Sequence, residues 1–170
     1  MELWDLYDRE RRPLGRTHVR GVPCPPGEYH LVVTVWTVNS SGSILLTLRD
    51  PAKESYPNTW ENTGGSALAG ETSRGAAVRE LLEETGIAAA EEELIPLGSQ
   101  TTRDAHVDHY LLRRDIALKD LHLQPGETVD ARWVTLEELN ARISDLSLAK
   151  PIGEQFEGIR ETFERLVYEK

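Results

Sequence analysis

One cysteine, one methionine and two phenylalanines in 170 residues exclude several kinds of protein at once. Cys24 alone can form neither a disulfide framework nor a cysteine-rich zinc site. Basic residues are scarce too: 19 Lys and Arg face 29 Asp and Glu, a formal net charge of -10. Nucleic-acid polymers bind through phosphates neutralised by Lys and Arg, so DNA and RNA are excluded as bulk partners. A small phosphorylated compound remains admissible where a divalent cation mediates the contact. No apolar run approaches the roughly 18 residues that read as a membrane span. The opening, MELWDLYDRERR, lacks the apolar h-region of a secretory signal. These absences predict a cytoplasmic, acidic, globular chain with no membrane partner. The length suits one domain, taken as residues 1–170, with a core that needs no staple.

What is present reads as alternating strands and helices. Leu3 to Tyr7 is a short strand ended by a polar run, and Gly21 to Glu28 is a proline- and glycine-rich loop. The β-branched run His30 to Val38 predicts a strand buried on both faces, turning through NSSGS into a second strand, Ile44 to Arg49. A helix spans Thr72 to Thr85, capped by Thr72 or Ser73 and closed by Gly86. Strands follow at 94–100, 106–113 and 127–134. Thr135 to Glu138 is a capping box, and an amphipathic helix over 154–168 places Ile159, Phe163 and Leu166 on one side. Such a mixture predicts an α/β layer architecture.

The chemistry concentrates in Gly65 to Ile87, GSALAGETSRGAAVRELLEETGI. At about 100° per residue, Glu80, Glu83 and Glu84 share one arc of the helix, with Arg79 beside Glu83. Val78, Leu81, Leu82 and Thr85 fall opposite, which predicts that they form the core stripe. Three carboxylates so close repel one another by a few tenths of a kcal/mol per pair in solvent. A hard divalent cation turns that repulsion into a binding site, and the carbonyls of a Gly64-Gly65 turn offer further oxygen ligands.

Gly65, Glu71, Arg79, Glu80, Leu81, Glu83, Glu84, Gly86 and Ile87 occupy every fixed position of G-x5-E-x7-R-E-U-x-E-E-x-G-U, where U is aliphatic. This segment, 65–87, resembles the box of the Nudix hydrolases. The resemblance implies an α/β/α sandwich with a mixed central β-sheet. It also implies Mg²⁺- or Mn²⁺-dependent hydrolysis of a small diphosphate compound, a nucleoside diphosphate compound among the candidates. By the same resemblance Gly65, Glu80, Glu83 and Glu84 are metal ligands, Arg79 orients them, and Glu71 partners Arg79. Glu80 or Glu84 takes the proton from the attacking water. Glu127 resembles a later carboxylate of the family, with Asp104 and Asp108 as rivals. A homodimer is the candidate assembly.

ELWDLYDRERRPLG, the His30 strand, LLTLRDPAK and SYPNTWENTGG resemble the branch that contains isopentenyl-diphosphate isomerase. Arg49 and Lys53 fall where that branch holds the diphosphate, as fork and point charge. The isomerase cysteine is replaced by Gly64, and its metal-binding histidines by Ser66 and Pro23, leaving only His30. The hydrolase reading therefore stands first. An isomerase and a non-catalytic ligand-binding module are the alternatives. Trp36, Tyr56, Trp60 and Trp133 are candidates for a base-stacking platform, with core packing as the competing reading.

Overall fold

The computed structural model describes residues 1–169. Strands β1 (Leu3–Tyr7) and β2 (Pro13–Val19) form an antiparallel hairpin. The main sheet contains β3 (His30–Val38), β4 (Ile44–Arg49), β5 (Trp60–Glu61), β6 (Thr63–Ser66), β7 (Ile95–Thr101), β8 (Ala105–Arg113) and β9 (Thr128–Val134). Its path is β5-β4-β3-β8-β7, with β6 beside β3 and β9 beside β4. Only β3 and β8 run parallel, so the sheet is mixed. Helix α1 (Ser73–Thr85) covers one face; α2 (Leu136–Ser144) and α3 (Lys150–Tyr168) belong to the other.

Alternation along the strands divides the core accordingly. Val33 and Val35 of β3, with Tyr110 and Leu112 of β8, join Ala76, Ala77 and Leu81 of α1. Trp36, Val38, Leu46 and Leu111 join Phe156, Ile159 and Phe163 of α3. The β-branched run of β3 thus serves both layers, as a continuously apolar strand should. Trp36 is a core residue, 4.9 Å from the Phe156 ring and 6.0 Å from Phe163. Trp60 is also buried, under the guanidinium groups of Arg132 and Arg142.

Three elements differ from the sequence reading. The Gly64-Gly65 turn is strand, because β6 pairs with Val32 to Val35 of β3. The polar run after Tyr7 returns as β2, an exposed strand with no apolar period to betray it. Helix α3 begins at Lys150, ahead of the expected 154, since Pro151 is compatible with a first helical turn. The caps of α1 are as read: Thr72 Oγ1 accepts from Gly75 N at 3.0 Å, and Gly86 is left-handed with φ of 76°.

Phe163→Ala should cost about 3–5 kcal/mol in denaturant unfolding, since it opens a cavity beside Trp36 and Phe156. A loss below about 1 kcal/mol would contradict the packing of α3 on the sheet.

Candidate active site

Helix α1 leaves Glu83 exposed but turns Glu80 and Glu84 away from open solvent. Leu81 and Thr85 are fully buried and Val78 partly so, but Leu82 is 52% exposed, contrary to the expected stripe. The buried arc instead runs from Ala77 through Leu81 to Thr85 and borders Glu80 and Glu84. The cause lies around the helix. Strand β6 lies against it, and the loop before β9 crosses its end, with His122 N donating to Thr85 O and Gln124 N to Glu84 O. The carboxylate arc is therefore wedged between helix, sheet and loop.

A cleft of about 280 Å³ opens over this wedge. Glu80, Glu83 and Glu84 line it from α1, Gly64 and Gly65 from β6, Arg49 and Lys53 from the end of β4, and Glu127 from the segment before β9. The structure thus brings the sequence candidates into one cleft, with Glu71 just behind it. Asp108 lies elsewhere: it accepts from Arg11 at 2.7 and 2.8 Å and from the hydroxyls of Ser73 and Ser99. Burial alone would raise its pKa, but these donors hold it below the usual carboxylate range. Asp104 and Cys24 line a separate cavity, and His30 stacks on Trp4 at 3.9 Å.

Arg79 braces the carboxylates. It holds Glu71 with two parallel bonds of 2.7 and 2.9 Å. Its remaining donors reach Glu80 at 3.0 Å, Glu83 at 3.1 Å and Ser66 O at 3.1 Å. The fork of a guanidinium suits this simultaneous grip, which a lysine could not reproduce. Glu71 is held acidic by Arg79, and Arg79 is held firmly protonated by Glu71.

Glu84 is different. It accepts one long bond, 3.3 Å from Gly64 N, and has no cation of its own. Burial pushes its pKa well above the usual range, and the neighbouring Glu61 and Glu80 push it further. Burial raises Glu80 as well, against the pull of Arg79. Glu61 was missed in the sequence: it sits on the two-residue strand β5, too short to show a period. Its buried carboxylate takes 2.8 and 3.1 Å bonds from Arg49 and is still raised, burial being the stronger influence. Lys53 likewise pairs with Glu127. Both cations expected to hold a diphosphate are thus engaged with carboxylates of the cleft wall. The N-terminal hairpin adds Glu2 and Arg20 at the rim, also unforeseen.

Among the described residues no three acidic, His or Cys side chains are preassembled as a metal cage, because Arg79 lies between Glu80, Glu83 and Glu71. The donor set nonetheless fits a hard divalent cation. A buried carboxylate without a counter-charge and two neighbouring glutamates supply the oxygens such an ion takes. A Cβ at Gly65 would overlap the Glu80 carboxylate, so only glycine allows this approach.

The raised pKa of Glu84 has a sign that can be checked. Ionisation of such a group weakens the fold as pH rises from the usual carboxylate range through the folded pKa. In chelator, Glu84→Gln should match the wild-type melting temperature near pH 4 and exceed it increasingly toward pH 8. Thermal melts across that range giving a constant or reversed difference would contradict the environment assigned to Glu84.

Comparison with known proteins gives the family of the chain. The NUDIX domain family model matches residues 28–156. An uncharacterized Nudix hydrolase of Listeria monocytogenes is 43% identical over 142 residues, spanning 83% of this chain and 84% of the relative. The isopentenyl-diphosphate Delta-isomerase of Nocardia farcinica is 30% identical over 145 residues, spanning 82% and 83%. The crystal structure of DR0079 from Deinococcus radiodurans matches with a TM-score of 0.77 at 28% identity, over 95% of this chain and 99% of that one. The chain belongs to the Nudix family, and the isopentenyl-diphosphate isomerases are among its relatives.

Proposed function

We propose that this chain, acting as one domain, is a metal-dependent hydrolase that cleaves the diphosphate linkage of a small compound. The observation that carries the reading is Glu84: a buried carboxylate among Glu61, Glu80 and Glu127, facing a cleft whose other wall holds Arg49 and Lys53. Gly65 O, Glu80, Glu83 and Glu84 are the groups that would hold Mg²⁺ or Mn²⁺. When bound, the ion neutralises phosphate oxygens and acidifies a water molecule.

The chain's own residues do the rest. Glu80 or Glu84 accepts the proton of the attacking water. As water adds to one phosphorus, the bond from that phosphorus to the bridging oxygen breaks, and the leaving group keeps the electron pair. Arg49 and Lys53 stabilise the charge that collects there. A diphosphate draws these cations from Glu61 and Glu127 because it carries more charge than either carboxylate. Arg79, anchored by Glu71, keeps Glu80 and Glu83 in register.

The isomerase alternative fails on chemistry. Protonating an alkene needs a positioned acid where this chain has Gly64, and Ser66 supplies no imidazole. One experiment separates the readings: a panel of diphosphate compounds, isopentenyl diphosphate included, is incubated with and without Mg²⁺ while phosphate release and isomer exchange are followed. The expected result is Mg²⁺-dependent phosphate release from at least one compound. Glu84→Gln should reduce it about a hundredfold or more, with no conversion to dimethylallyl diphosphate. Isomer exchange above a buffer control, or full turnover by Glu84→Gln, would overturn the proposal.

A further inference from the structure

Behind β6, on the face of the sheet that carries α3, lies a second groove of about 180 Å³. It is lined by Val32 and Thr34 of β3, Glu61, Asn62, and Ile152 and Gln155 of α3. Gly64 and Gly65 line both this groove and the first cleft, so the two adjoin across β6. A Cβ at Gly64 would come within 2.8 Å of Val33 O and 3.4 Å of Thr34 Cγ2, so the glycine keeps β6 close to β3 there.

Asn62 is the unusual residue there. It is 2% exposed, and its Oδ1 has no hydrogen-bond partner. Its Nδ2 donates weakly to Val35 O at 3.5 Å. Turning the amide over would set two oxygens against each other, so the unpaired atom is the acceptor. A buried acceptor left without a donor costs about 1–3 kcal/mol, which a ligand donor would recover. Glu61 adds a carboxylate, again an acceptor. Thr34 is already engaged with His109 Nδ1 at 2.8 Å. The amide of Gln155 and the hydroxyl of Ser66 also line the groove, so it offers donors beside the unpaired Asn62 acceptor, a mixture that suits hydroxyl groups. Val32 and Ile152 are aliphatic, and no aromatic ring lines either cavity, so neither offers a stacking surface for a base.

We infer that this groove receives the organic part of the diphosphate substrate, and that this part is a compact, non-aromatic, polyhydroxylated group read by Asn62 Oδ1. The inference rests on the hydrolase reading for the position of the diphosphate itself. Asn62 is a specificity residue in it, outside the hydrolytic machinery.

Three probes test it by calorimetric binding in Mg²⁺: inorganic diphosphate, ribose 5-diphosphate and n-pentyl diphosphate. The last two share a five-carbon length and differ in hydroxyls. Wild type should bind ribose 5-diphosphate about tenfold or more tightly than pentyl diphosphate, the worth of one or two satisfied hydrogen bonds. Asn62→Leu should abolish that preference and leave inorganic diphosphate binding unchanged. Ile152→Phe, on the partly exposed side of the groove, should weaken both organic ligands and spare inorganic diphosphate, which serves should Asn62→Leu not fold. Equal wild-type affinity for the two organic probes, a preference for pentyl diphosphate, or no binding of any probe at millimolar concentration would overturn the inference. Selective binding of ribose 5-diphosphate without phosphate release would instead contradict the hydrolase reading and leave the groove assignment standing.

Discussion

Burial of the Glu84 carboxylate is the constraint on which the site depends. Helix α1 packs on β6, and Glu84 lies there near Glu61 and Glu80, where burial and like charge both oppose its ionisation. A fold built for stability alone would place an apolar residue there. This chain keeps a carboxylate instead and fastens its surroundings with Arg79, whose guanidinium grips Glu71, Glu80, Glu83 and a backbone carbonyl at once. Local conflict of this kind is the feature on which the proposed cation site rests.

The cleft is otherwise a set of ion pairs ready to exchange partners. Arg49 and Lys53 are satisfied by Glu61 and Glu127, so no bare cation is buried. A diphosphate and a divalent ion arriving together would reverse the pairing, phosphates to the cations and carboxylates to the metal. Relatives named isopentenyl-diphosphate Delta-isomerases match over most of this chain, because fold and reaction are separable.

Much of this was legible in the residues. The spacing of Gly65, Glu71, Arg79, Glu80, Glu83 and Glu84 located the site, and the caps at Thr72, Gly86 and Thr135 are local signals that the structure bears out. Strands β3, β4, β8 and β9 showed themselves by sustained β-branched or alternating runs. What escaped had no period to read. Strand β2 is exposed at all but His18, while β5 and β6 have two and four residues and two glycines between them. Glu61 was hidden with β5. Helical phase placed the three carboxylates on one arc but could not say which flank faces the sheet. Leu82 against Glu84 was settled by β6 and by the loop through His122 and Gln124, both distant in sequence.

The central claim is that Glu84 is a buried carboxylate whose ionisation burial opposes and a bound divalent cation favours. Titration calorimetry with Mg²⁺, repeated at one pH in buffers of different ionisation enthalpy, counts the protons released as the ion binds. The account predicts proton release by the wild type, because the ion favours the ionised carboxylate. Glu84→Gln should bind Mg²⁺ more weakly and release fewer protons. Equal affinity and equal proton release in the two proteins would contradict it.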